Sequence, residues 1–140
     1  MTQVFFYHGA ADKIAAACAL LSGAYAKKKP MLVFAPEKEV ANSVDRMLWT
    51  HSAPSFIPHC RADSPLASET PILIADSLET VAQEDRLMNL SQRVPPGFLR
   101  FQKLIEVVGQ SDNDRSTARE RVKFYKDSGC EVRYFDLSER

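Results

Sequence analysis

Two short runs, MLVFA at 31–35 and PILIA at 71–75, constrain the fold of this chain more than any other feature. Each is continuously apolar and punctuated by proline: Pro30 and Pro36 flank the first, and Pro71 opens the second. A strand with one wet face alternates apolar and polar residues. An unbroken apolar run of this length is a strand buried on both faces, as in a parallel sheet covered by helices.

Segments with helical spacing surround these runs. Asp12–Lys28 is rich in Ala and Leu and repeats apolar residues at Ile14, Cys18, Leu21 and Tyr25. Lys27, Lys28 and Lys29 put cations at the negative end of its dipole, and Pro30 stops it. Glu37–Thr50 reads as a second helix, with Pro36 suited to its first turn and Glu37 and Glu39 to its positive end. Asp112–Ser128 is a third, ended by Gly129. Gln3–Tyr7, Arg86–Leu90, Lys103–Val108 and Cys130–Leu137 read as further strands, and Ala62–Glu69 as a loop. Asp76–Asp85 is polar without a clear period. The alternation predicts one α/β domain over residues 1–140, a Rossmann-like, mostly parallel sheet with helices on both faces.

Bulk chemistry narrows the function. Eighteen basic side chains balance eighteen acidic ones, so the basic excess of a duplex-wrapping protein is absent. No interleaved array of basic and aromatic residues marks a single-strand platform. Cys18, Cys60 and Cys130 are three widely spaced cysteines with no C-x-x-C pair, which fits a reducing cytoplasm better than a disulfide frame or a zinc site. The chain shows no apolar run long enough for a membrane span, and its first residues do not read as a secretion signal.

An α/β sheet raises the nucleotide question. The first strand-to-helix turn is YHGAADK, with the single glycine Gly9 where a dinucleotide fingerprint needs three and a P-loop needs Gly-Lys-Ser/Thr. No nucleotide-binding loop, cofactor or metal is expected. His51 and His59 lie eight residues apart across prolines, off the helical spacing of a zinc protease. A nucleotide- or thiol-dependent enzyme built on His8, or on His59 with Cys60, is the competing reading, although adjacent residues usually point apart. Structural or surface roles for the histidines fit the pattern better.

Two constellations carry more. On a wheel of about 100° per residue, Val40, Val44, Met47 and Leu48 share the core face of the second helix, which turns Trp49 toward solvent. Phe56 and Ile57 follow in a loop stiffened by Pro54 and Pro58. Either these aromatics form an interface, or the loop folds over the Trp as a satellite cluster. On the last helix, Ala118, Val122 and Tyr125 make an apolar stripe edged by Arg115, Arg119 and Lys123. That edge is either a carboxylate clamp or a solvated face paired with Asp112, Asp114, Glu120 and Asp127.

Taken in order, FYH, LWTHSAPSFIPH, PILIAD, MNLSQRVPPGFLRFQKLIEVV and ARERVKFYKDSGCEV resemble the chi subunit family of bacterial DNA polymerase III over most of the chain. The resemblance implies a non-catalytic accessory protein of the replicase, with a Rossmann-like fold that has lost nucleotide binding. It implies that the last helix binds the acidic, Phe-terminated C-terminal tail of single-stranded-DNA-binding protein. It also implies a second surface for the psi subunit of the clamp loader, or for a helicase in its place. Arg119 of ARER and Val108 match the family's tail site, which places Arg115, Ala118, Val122 and Lys123 beside it. Val122 stands where an aromatic can occur. Trp49 and Phe56, with Ile57, match the psi- and helicase-facing surface.

Overall fold

In a computed structural model of the chain, the structure describes residues 2–50, 58–78 and 85–138. The strands are β1 (Gln3–Ala10), β2 (Met31–Phe34), β3 (His59–Arg61), β4 (Ile72–Ala75), β5 (Arg86–Asn89), β6 (Lys103–Gly109) and β7 (Glu131–Asp136). The helices are α1 (Lys13–Ala26), α2 (Lys38–Thr50) and α3 (Asp112–Asp127). The strands form one seven-stranded sheet in the order β3-β4-β2-β5-β6-β1-β7. Every pairing in it is parallel. This is the Rossmann-like α/β fold that the apolar runs predict.

Those runs are buried because helices cover both faces. From β2, Met31 and Val33 pack under α1 and α2 with Cys18, Leu21, Val44 and Leu48. Leu32 and Phe34 point the other way, into a cluster with Phe98, Phe101 and Tyr125. A strand lined on both sides has no wet face, and β2 accordingly carries apolar residues throughout.

The helix ends follow from local chemistry. Asp12 caps α1 by accepting the Ala15 N–H at 3.1 Å. The three lysines lie beyond the last turn of α1 rather than in it. Lys28 takes a left-handed conformation, φ 58°, while Lys28 N–H and Lys29 N–H bond to Tyr25 O and Ala24 O. Gly129, φ 85°, ends α3 in the same way, with Cys130 N–H on Tyr125 O at 3.0 Å. Pro36 precedes the first turn of α2 rather than lying in it, since Glu37 O accepts from Ala41 N–H. The strand β3 is an element that sequence patterning missed. Its three residues His59, Cys60 and Arg61 are too few to show a period.

Candidate functional site

An apolar groove with a cationic rim lies between α3 and the β1–β7 end of the sheet. A groove of about 370 Å³ is lined by Phe6, His8, Val108, Arg115, Ala118, Arg119, Val122 and Tyr134. Its floor is a small cluster of Phe6, Val108 and Ala118, all buried, with Val122 and Val132 packed against it. Arg115 and Arg119 are exposed, one turn apart on the rim. Tyr134 closes the β7 side, its ring edge-on to Phe6 at 5.8 Å and its other side met by Lys126 Nζ at 5.4 Å from the centroid.

Five of the six side chains expected on this face, Val108, Arg115, Ala118, Arg119 and Val122, thus line one groove. Lys123 is exposed and lies outside its lining. Sequence reasoning missed Phe6, His8 and Tyr134. They come from strands far from α3 in sequence. The signal was alternation: Phe6 and His8 share a face of β1, and Phe6 is in register with Tyr134.

Beneath the groove a buried polar network fastens α3 to the sheet. Glu106, on β6, accepts from Arg121 Nε at 3.0 Å, Arg121 Nη2 at 3.2 Å and Asn89 Nδ2 at 2.9 Å. The Tyr125 hydroxyl also donates to Glu106. Glu106 is fully buried and Arg121 is 2% exposed. Burial pushes the Glu106 carboxyl above its ordinary range, against the pull of the Arg121 charge and these hydrogen bonds. Burial, with the Glu106 charge beside it, also pushes the Tyr125 hydroxyl up. Tyr125 thus does two things: its ring packs in the core beside Phe98, and its hydroxyl ties α3 to Glu106.

At the carboxyl ends of β1 and β6 the chain leaves toward opposite faces, the position where α/β sheets bind phosphates. Here a side chain occupies it. Asp114 accepts from Gly109 N–H at 2.5 Å, Gln92 Nε2 at 2.6 Å and Lys13 Nζ at 3.2 Å. Burial works to raise the Asp114 carboxyl, but the Gly109 N–H, the Lys13 cation and Gln92 together hold it below the ordinary range. An internal carboxylate thus takes the donors that a nucleotide phosphate would need. This agrees with the absence of a glycine-rich loop.

The second constellation lies at the other end of the sheet. Trp49 is 62% exposed, as its place on the α2 wheel predicts. Its ring meets His59 edge-on at 5.5 Å, and His59 Nε2 is 2.9 Å from Asp45 Oδ1. Phe56, Ile57 and His51 lie outside the described residues. His59 and Cys60 point apart: His59 faces α2, whereas Cys60 packs against the cluster under the opposite face. They form no Cys–His pair. Burial, with Asp12 nearby, pushes the Cys18 thiol up to about 11, the reverse of an activated nucleophile. Among the described residues no group of metal-binding side chains converges, and no helix is long and apolar enough to cross a membrane.

Residues 1–133 match the family model described as DNA polymerase III chi subunit, HolC. The chain belongs to the DNA polymerase III chi subunit family. It is 26% identical over 133 residues to DNA polymerase III subunit chi of Pseudomonas aeruginosa, covering 92% of each chain. The Haemophilus influenzae chi subunit is 29% identical over 108 residues, covering 76% of this chain and 75% of its own. The Escherichia coli chi subunit is 26% identical over 113 residues, covering 80% and 77%. Membership makes the chain, by family name, an accessory subunit of the polymerase III assembly.

Proposed function

We propose that this chi-family chain is a non-catalytic adaptor of the replicase with two separate faces. The α3 groove takes the acidic, Phe-terminated C-terminal tail of single-stranded-DNA-binding protein. The Trp49 face takes the clamp-loader partner psi, or a helicase in its place. The observation that supports this reading is the pairing of an apolar floor with a cationic rim. A terminal phenylalanine needs a greasy slot with basic groups beside it, and Phe6, Val108, Ala118 and Val122 provide the slot next to Arg115 and Arg119.

The energetics favour a weak, salt-sensitive contact. Burying one aromatic ring contributes about 1.5–3 kcal/mol. Each exposed ion pair adds about 0.2–1 kcal/mol and is screened by salt. Such a tail docks and releases quickly, which suits a link between moving parts of a replication complex.

The test is fluorescence anisotropy of a labelled acidic peptide ending in Pro-Phe with a free carboxylate, titrated at low and at moderate salt. Saturable binding that weakens with salt supports the proposal. Arg119→Ala is expected to weaken it about fivefold, one exposed charge contact's worth. In pull-downs Arg119→Ala loses the tail and keeps the clamp-loader partner, and Trp49→Ala does the reverse. No saturable binding at low salt refutes the groove assignment. Loss of the partner in Arg119→Ala with the tail retained inverts the two faces.

A further inference from the structure

The sheet has a second place where neighbouring strands send the chain to opposite faces. After β2 the chain enters α2, whose Ala41, Val44 and Leu48 pack on one face. After β4 and β5, the two partners of β2, it turns to the other face, where Leu78, Val94 and Phe98 pack. Strands that diverge in this way leave a crevice beyond their carboxyl ends, and open α/β sheets bind ligands there. At the β1–β6 divergence the carboxylate of Asp114 takes the donors. At β2 the charge is of the opposite sign.

A cleft of about 410 Å³ lies over the end of β2. It is lined by Phe34, by Asp76 and Leu78 beyond β4, and by Arg93, Pro96 and Arg100 beyond β5. Aromatic rings support both guanidinium groups. Arg93 Cζ stands 5.6 Å from the centroid of the Phe34 ring, and Arg100 Cζ 4.9 Å from that of Phe101. Arg100 Nη2 also donates to Leu78 O at 2.7 Å, which ties the two banks of the cleft together. Gly97, φ +76°, turns the loop between the two arginines, so that both reach the same cleft. Arg93 is exposed, and among the described residues no carboxylate forms an ion pair with it. Two guanidinium charges against the one carboxylate of Asp76 leave the described lining cationic.

We infer that this cleft binds a mononucleotide, its phosphate on Arg93 and Arg100 and its base against Leu78 and Pro96. A guanidinium fork matches the oxygens of a phosphate, and its planar face stacks on flat rings. The volume suits more than a lone anion, since small-ligand pockets start at about 300 Å³. The apolar side of the cleft gives the rest of such a ligand a dry surface. The inference is independent of the proposed tail-binding role, because the cleft shares no residue with the α3 groove.

The experiment follows the backbone amide shifts of the full chain by NMR at constant salt. The probes, added separately, are a purine nucleoside 5′-monophosphate, the same nucleoside without phosphate, inorganic phosphate, and a short single-stranded oligonucleotide. The nucleotide is expected to give saturable shifts centred on Ser77, Leu78 and Gly97. The nucleoside brings no charge to the guanidinium groups and is expected to bind about tenfold more weakly. Inorganic phosphate, which has no ring, is also expected to bind more weakly than the nucleotide. Arg93→Ala is expected to weaken the nucleotide about fivefold, the loss of one exposed charge contact. Because the comparison of probes uses the native chain, it holds even where the variant folds poorly. No saturable shifts, shifts centred elsewhere, a nucleoside as tight as the nucleotide, or full affinity in Arg93→Ala overturns the site. Inorganic phosphate as tight as the nucleotide reduces the cleft to an anion site, and an oligonucleotide that binds more tightly reassigns it to a strand; either result overturns the mononucleotide.

Discussion

Arg121→Met tests the claim that the buried network beneath the groove holds α3 in place. The substitution removes two of the four hydrogen bonds to Glu106 and the only cation among its partners. Deleting one member of a buried ion pair costs about 3–5 kcal/mol, because the survivor stays desolvated. Here Asn89 and Tyr125 still donate, and the carboxyl can take up a proton, so the lower end applies. About 3 kcal/mol lowers the Tm of a chain this size by about 10 °C. The sign of the pH dependence follows from the burial that already pushes Glu106 up. Without the guanidinium the folded carboxyl rises further above its unfolded value. Between those two values the folded state holds more protons than the unfolded one, so stability falls as pH rises through the window. Urea unfolding followed by circular dichroism should therefore show a larger deficit at about pH 8 than at about pH 5. Adding Glu106→Gln removes the stranded charge and is expected to restore about half of the loss at the higher pH. Equal deficits at the two pH values, or a double variant no more stable than Arg121→Met, would refute the reasoning.

Trp49→Ala is expected to change unfolding free energy by less than about 0.5 kcal/mol, since the ring is largely in water, while abolishing capture of the clamp-loader partner. A large drop in Tm would mean that the ring is part of the fold. Asp114→Ala strips the acceptor shared by Gly109, Lys13 and Gln92, at a cost of about 2 kcal/mol near neutral pH. Asp114 has a depressed carboxyl, so its contribution is present above the ordinary carboxylate range and is lost as pH falls; the gap between native and variant should close in acid. The same variant leaves three donors facing an empty anion position, so inorganic phosphate should raise its melting temperature more than that of the native chain, read by thermal shift.

Some of the candidate site was legible in the sequence because it lies along one helix. The spacing of Arg115, Ala118, Arg119 and Val122 follows from 3.6 residues per turn, and the groove carries all four. The Trp49 exposure was legible for the same reason: nine residues from Val40 on a helix means the opposite side. What lay across strands was not legible. Phe6, His8 and Tyr134 join α3 only because β1 and β7 are neighbours in register, a pairing between residues more than a hundred positions apart. Nothing local in KLIEVV or ARER marks Glu106 or Arg121 as buried. Only packing shows that they face each other in the interior.

The division has a physical origin. Period and punctuation act over a few residues, so apolar runs, caps and helix faces are written locally: two doubly buried strands, three helices and their stops, and one helix edge of arginines. Strand order, the carboxylate that fills the phosphate position and the groove that joins Phe6, His8 and Tyr134 to α3 depend on which distant segments pack together. That choice is made by the whole core at once, through burial on both faces of the sheet, and no local stretch of the chain contains it.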